Sequence, residues 1–175
     1  MSCDIEIHIF GKPMDVEAIW DLANVAADQA TINFSQGFEN YEFLGMMEKA
    51  AEQGKALTLT VGDTSDLADE LTCACSEAGL PYVVHYSETG TEEYTHGLAW
   101  TPGMSKDFEF VLDRGKPALA LAKIQRAASQ GIDAVNALLA EVALVTTPGA
   151  IEMDTGFKDS MKEFLDSGEA IGYSA

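Results

Sequence analysis

The chain has 175 residues, of which 47% are hydrophobic, and its 29 acidic and 10 basic side chains give a formal net charge of −19 at pH 7. This length suits one folded domain, and the hydrophobic content excludes a chain that is disordered by composition. No apolar run approaches the roughly 20 residues of a membrane span, and the first residues lack the basic and apolar segments of an export signal, so we expect a cytoplasmic protein.

Strand and helix patterns alternate through the first part of the chain. Ile5, Ile7 and Ile9 alternate with polar residues, as in a half-buried strand, and apolar residues at helical spacing follow. We predict, in order, a strand over 5–9, a helix over 16–27, a loop or short irregular strand at 31–40, a helix over 41–53, a strand over 57–61 and a helix over 65–78. Strands over 82–87 and 93–100, joined by a turn at 88–92, follow.

The later part of the chain reads as one more strand followed by helices. After a strand over 108–112, a proline near the first helical position predicts a helix that begins at 115–117 and ends at Gly131. Asp133 is positioned to cap a helix over 134–145, whose almost wholly apolar composition predicts burial. Thr155 is expected to cap a last amphipathic helix over 155–165.

This order of elements predicts an α+β fold, a ferredoxin-like mixed or antiparallel sheet with helices on one face and a C-terminal helical extension. Residues 1–113 would form the sheet domain with most of the negative charge, and residues 114–175 the helical extension packed on it. A resemblance to a known family lies in four segments: the strand LTLTV at 57–61, the acidic helix after it, the segment LPYVVHY at 80–86 and the strand that includes Gly97. They resemble the ferredoxin-like domain of uncharacterised phage and plasmid proteins, which implies a mobile-element context.

The negative charge is distributed unevenly. Residues 1–98 hold 18 acidic and 3 basic side chains, whereas residues 99–175 hold 11 and 7. Such a surface repels nucleic acids and anionic membranes and attracts basic partners, so we expect neither direct nucleic-acid binding nor membrane binding. Carboxylates spaced along a helix face can also approximate a row of phosphates.

We therefore predict a non-catalytic binding protein, without cofactor or metal, that occupies a basic, nucleic-acid-binding surface of a partner protein. In size and charge the chain resembles phage inhibitors that block restriction or CRISPR enzymes. An ordinary acidic protein, or one from a high-salt habitat, would carry similar charge. The predicted partner-binding residues are acidic side chains of two helices and the turn region: Asp15, Glu17, Asp21, Asp66, Asp69, Glu70, Glu77, Glu92 and Glu93.

Two alternatives stay open. In the first, His85 and His96, with His8 and nearby glutamates, form the metal site of a small enzyme. His85 and His96 lie on the two arms of the predicted hairpin, and they share a face only if they pair directly. The chain could instead be a structural or oligomerisation module whose helix over 134–145 packs against another subunit. Cys73 and Cys75, two apart on a helix, are expected to diverge and to be reduced, structural residues.

Overall fold

The computed structural model describes residues 4–33, 39–62, 65–87, 94–114 and 116–168. Within these ranges the elements follow in chain order: β1 (Asp4–Ile9), α1 (Val16–Asn33), α2 (Asn40–Glu52), β2 (Leu57–Gly62), α3 (Ser65–Glu77), β3 (Tyr82–Ser87), β4 (Tyr94–Trp100), β5 (Phe108–Asp113), β6 (Lys116–Ala118), α4 (Leu121–Gln130), α5 (Ile132–Thr146) and α6 (Thr155–Ser167).

The six strands form one open sheet in the order β2-β1-β3-β4-β5-β6, and every neighbouring pair is antiparallel. Because β2 and β3 both pair with β1, the unit β2-α3-β3 crosses over β1 and leaves it between the two strands. The predicted α+β class with an antiparallel sheet is therefore confirmed.

The first face of the sheet packs against α1, α2, α3 and α6. Ile5, Ile7 and Ile9 all face this side, because side chains alternate along a strand, and all three are buried. The helices fill the same core with apolar residues at helical spacing, among them Ile19, Phe43, Leu71, Phe157 and Met161.

Helices α4 and α5, which belong to the predicted C-terminal helical extension, cover part of the opposite face. The apolar side chains of β3, β4 and β5 on this face need cover from water, and α4 and α5 provide it. This second core comprises Phe10, Val83, Ala99, Phe108, Phe110, Ala127, Leu138 and Val145. On β1 and β2 the same face carries Glu6, His8 and Thr58, which remain partly or fully exposed.

The segment at 115–117 was predicted to open a helix, and this prediction is wrong. Lys116–Ala118 instead forms the edge strand β6, with Pro117 opposite Leu112 of β5, and α4 begins at Leu121. Proline is tolerated on an edge strand because the outer side of such a strand needs no N–H donor.

The predicted burial of the helix over 134–145 is also wrong. Of the residues of α5, only Leu138 and Val145 are buried, while Ile132 and Leu139 are 70% and 59% exposed. The helix rests on the sheet along one narrow stripe, and no other element of the described chain covers its outer side. Its apolar composition alone could not distinguish these two sides.

Several boundaries differ from the prediction. The helix α1 continues to Asn33, into the predicted loop, while residues 34–38 and the predicted turn at 88–92 lie outside the described residues. Asp154, not Thr155, caps α6 by accepting a hydrogen bond from the Phe157 N–H at 2.8 Å. Gly131 precedes α5, so Asp133 lies inside the helix rather than at its cap.

The division of the chain at residue 113 stays a prediction. The strand β6, which follows this position, pairs with β5, and α6 adds Phe157 and Met161 to the same core as β1. Among the described residues, no helix combines the length and the apolar character that crossing a bilayer requires.

Candidate functional site

Three polar side chains meet on the partly uncovered face of the sheet. Glu6 and His8 are two residues apart on β1 and therefore share a face, and the β1–β3 register places Glu6 directly opposite His85. The His8 Nε2 atom lies 2.8 Å from the Glu6 Oε1 atom, and the His85 Nδ1 atom lies 3.8 Å from the same oxygen. One ligand atom from each residue can be chosen so that all three lie within 4.8 Å of one another.

The register also decides which histidines can cooperate. His96 pairs with Tyr86, and His85 pairs with Gly97, so the two hairpin histidines are offset by one residue and lie on opposite faces. His96 is exposed and stacks on Tyr86, with ring centroids 5.1 Å apart. The partner of His85 is instead His8, whose ring centroid lies 5.2 Å away.

The two rings of the cluster have different surroundings. His8 is held at both nitrogens, by Glu6 and by a 3.1 Å contact between its Nδ1 atom and the Thr58 hydroxyl. His85 lies between Tyr94 and Phe110, each ring centroid 5.7 Å away, and its buried Nε2 atom has no hydrogen-bond partner among the described residues.

Electrostatics keep the His85 ring neutral at pH 7. Burial, together with the neighbouring His8, lowers the pKa of His85 below its ordinary value, and Glu6 opposes only part of this shift. A neutral imidazole retains one nitrogen with a free lone pair, so His85 can accept a proton, a hydrogen bond or a metal ion at that atom.

A pocket of about 790 Å³ opens in front of the two histidines. Its apolar wall comes from β5, β6, the end of α5 and the residues just before β2 and just after α5: Ala56, Leu112, Pro117, Val145 and Pro148. Its polar lining includes Lys55, Arg114 and Lys116 beside His8 and His85, and no acidic side chain is among the lining residues of the described chain.

The chain holds the three cations of this pocket in different ways. Backbone hydrogen bonds fix Lys55 between α2 and β2, because its N–H donates to Ala50 and its carbonyl accepts from Ile151, both at 3.0 Å. Arg114 directly follows β5, and Lys116 is the first residue of β6. Within the described chain, none of the three side chains makes an ion pair.

Arg114 has an unusual backbone conformation. Arg114 directly follows β5, whose last residue Asp113 pairs with Lys116 of β6, and it has a φ of +52°. This left-handed region suits the tight turns of hairpins but is rarely occupied by residues other than glycine, asparagine and aspartate. An arginine at this position therefore carries a conformational cost beside the pocket.

The predicted acidic residues lie elsewhere, mostly on the helices of the first face. The adjacent helices α1 and α3, together with the residue just before α1, present exposed carboxylates: Asp15, Glu17, Asp21, Asp69, Glu70 and Glu77. Asp15 also has a structural role, since its carboxylate accepts hydrogen bonds from the backbone N–H groups of Glu17 and Ala18 and so caps α1. The side chain of Asp66 is not among those described, and Glu92 and Glu93 lie outside the described residues.

The two described cysteines diverge as expected. Cys73 is exposed on α3, whereas Cys75 is buried in the first core. Burial raises the pKa of the Cys75 thiol well above its ordinary value, so this side chain is an unreactive apolar group. Both cysteines are free thiols, and neither contributes to the pocket.

Comparison with known proteins finds no match for this chain among family models, curated proteins or solved structures.

Proposed function

We propose that this chain binds a small anionic ligand in the pocket lined by Lys55, Arg114 and Lys116. The observation that carries the proposal is local charge: three of the ten basic side chains line one pocket, and the described part of the chain contributes no carboxylate to that lining, in a chain with 29 acidic residues. Without a functional reason, acidic residues should outnumber basic ones in this pocket as they do in the chain.

The lining favours a carboxylate or phosphate that is attached to a small apolar body. Arginine binds such groups through two parallel hydrogen bonds, and lysine adds a mobile point charge. The apolar wall suits a hydrocarbon or ring portion, and the volume falls within the roughly 300–1,000 Å³ of pockets that hold small molecules. His8 and His85 form the inner side of the pocket, close to where the ligand would lie.

Phenyl phosphate is a suitable probe, because it combines an anionic group with a compact ring. We expect the wild-type chain to bind it in calorimetric titrations and to show no binding of benzylamine, its cationic counterpart. A charge-assisted hydrogen bond contributes roughly 1.5–3 kcal/mol, so Arg114→Gln and Lys116→Gln should each weaken binding by about tenfold or more.

A matched control separates this pocket from general cation effects. Lys162→Gln removes an exposed charge from α6, away from the pocket, and should leave the affinity for phenyl phosphate unchanged. Equal affinities in wild-type chain, Arg114→Gln and Lys116→Gln would refute the proposal, as would an equal loss in Lys162→Gln.

A second candidate function is binding of a basic protein surface by the helices α1 and α3, in place of nucleic acid. The adjacency of these helices and the exposure of Asp21, Asp69 and Glu77 favour it. The resemblance to phage and plasmid proteins with a ferredoxin-like domain, and to phage inhibitors of nucleic-acid enzymes, belongs to this proposal.

A fluorescent lysine-rich peptide can test the second candidate by anisotropy. We expect binding at low ionic strength that weakens strongly as salt is added, because screening reduces contacts between exposed charges. The triple reversal Asp21→Lys, Asp69→Lys and Glu70→Lys should abolish binding. The matched triple reversal on α6, Asp159→Lys, Glu163→Lys and Asp166→Lys, should weaken peptide binding far less. Equal losses of affinity in the two triple variants would show only a response to net charge and would contradict this candidate.

A further inference from the structure

We infer that Glu6, His8 and His85 form a binding site for a divalent transition-metal ion of the zinc class. This inference goes beyond the proposed anion pocket, because it depends on a different set of side chains and on their mutual distances. It shares His8 and His85 with the sequence-based metal hypothesis but leaves out His96 and takes its carboxylate from Glu6 on β1 instead of from the glutamates near the hairpin.

The distances within the cluster suit tetrahedral coordination. Zinc bonds of about 2.0–2.2 Å to nitrogen and oxygen place neighbouring ligand atoms roughly 3.3 Å apart. The two distances from the Glu6 Oε1 atom, 2.8 Å to His8 Nε2 and 3.8 Å to His85 Nδ1, lie on either side of that value. Small side-chain rotations would therefore close the site, while the paired strands β1 and β3 keep the three backbone positions fixed.

The surroundings of His8 support a role as ligand. Histidines that bind metals through one ring nitrogen usually hold the other nitrogen in a hydrogen bond, which orients the ring. The Thr58 hydroxyl provides this contact at His8 Nδ1, at 3.1 Å, and leaves Nε2 directed at Glu6. His85 has no hydrogen bond at Nε2 among the described residues, so its ring can reorient without losing a bond at that atom.

The ligand set determines which ions fit. Two imidazoles and one carboxylate suit zinc and the neighbouring first-row transition ions, whereas magnesium and calcium prefer sites built from oxygen alone. Three protein ligands leave a fourth coordination position, as in zinc sites that bind water or substrate. Because His8 and His85 line the pocket, this position would face the space proposed for the anionic ligand.

A titration with Co²⁺ as the probe tests the site. The buffer contains excess Mg²⁺, and visible absorption monitors Co²⁺ binding. Magnesium occupies the surface carboxylates without competing for imidazole. We expect one equivalent of Co²⁺ to give d–d bands without thiolate charge-transfer bands, and Zn²⁺ to displace it. His8→Ala and His85→Ala should each lower the affinity at least 100-fold, and Thr58→Val should lower it 10- to 100-fold through loss of the contact that orients His8.

His96→Ala is the matched control, since it removes the histidine on the opposite face of the same sheet. Its Co²⁺ affinity should equal that of the wild-type chain. Glu6→Gln, which keeps the size of the side chain, provides a variant with minimal effect on folding and should also weaken binding. Absence of one-site binding by the wild-type chain, or affinities that are unchanged in folded His8→Ala, His85→Ala and Glu6→Gln, would overturn the inference.

The metal site and the anion pocket can fail separately. Arg114→Gln and Lys116→Gln should retain Co²⁺ binding, because neither residue belongs to the metal cluster. Binding of Co²⁺ without binding of phenyl phosphate would support the metal site and refute the anion pocket, and the reverse result would do the opposite.

Discussion

At the scale of single residues, Arg114 combines an unfavourable backbone conformation with a place in the pocket. A left-handed conformation costs a residue with a Cβ roughly 1–2 kcal/mol relative to a right-handed one, and glycine avoids this cost. A glycine at this position would in turn lower the free energy of unfolding by about 0.5–1 kcal/mol, because the unfolded chain would have greater conformational freedom. Stability alone would therefore favour glycine or leave the choice neutral, so the arginine is consistent with a role for its side chain.

The variant Arg114→Gly separates these two roles. We expect its free energy of unfolding, measured with urea, to lie between the wild-type value and about 1 kcal/mol above it, because the relief of strain slightly exceeds the added entropy cost. Its affinity for phenyl phosphate should fall by about tenfold or more, as in Arg114→Gln. A variant that is clearly less stable than the wild-type chain would show that the arginine is kept for folding instead.

Gly97 shows a close approach that no residue with a side chain would allow. It pairs with His85 and with Phe110, and a Cβ at this position would overlap both the Val84 carbonyl oxygen and the Phe110 ring. The Phe110 ring thus lies close to the Gly97 backbone, and it meets the His85 ring edge to face with ring centroids 5.7 Å apart. This glycine therefore helps to fix one member of the histidine cluster.

At the scale of elements, α5 shows how a helix of uniform composition can have two different sides. Leu138 faces the second core and is 9% exposed, whereas the next residue, Leu139, is 59% exposed. The same helix ends beside the pocket, where Val145 and Thr146 form part of its lining. The buried stripe of α5 thus positions one wall of the candidate site.

Two leucine-to-alanine variants test this orientation. Leu138→Ala should lower the free energy of unfolding by about 2–4 kcal/mol, since it removes buried methyl groups and leaves a cavity. Leu139→Ala should change it by less than about 0.5 kcal/mol, because its side chain is already in water. Chemical denaturation measures both, and a larger loss for Leu139→Ala would mean that α5 is rotated or that another subunit covers its outer side.

Local patterns in the sequence predicted most elements of the fold but not the site. Alternation along β1, β2 and β3 and helical spacing in α1 to α3 depend on neighbouring residues, so they are visible in the sequence. Pro117 was misread because proline suits both a helix start and an edge strand. The polar pair Glu6 and His8, opposite a row of isoleucines on the same strand, was the available signal for the site.

The meeting of Glu6 with His85 could not be predicted, because it depends on the register between strands far apart in the chain. A shift of one residue would have turned His85 to the other face and brought His96 to the pocket side. Periodicity fixes which residues share a face within a strand, and it leaves the pairing of strands undetermined. The convergence of Lys55 with Arg114 and Lys116 is likewise a property of the folded chain.

At the scale of the whole molecule, the net charge of the chain and the charge of the side chains that line its pocket have opposite signs. The net charge of −19 repels anions at long range, while Lys55, Arg114 and Lys116 attract them at short range. At physiological ionic strength the Debye length is about 8 Å, so distant carboxylates are largely screened and the lining charges dominate inside the pocket. An anionic ligand is therefore repelled by the protein at long range and attracted by the pocket at short range.

The pocket is also assembled from nearly the whole chain, from His8 on the first strand to Pro148 beyond α5. A nascent chain cannot complete the site until the residues around position 148 have left the ribosome, well after the sheet strands have emerged. A ligand that binds only the finished pocket would stabilise the native state alone, by an amount that grows with the logarithm of its concentration. Ligand binding would then hold together segments that are synthesised first and last. It would favour chains whose C-terminal helices have docked over chains that have folded only in part.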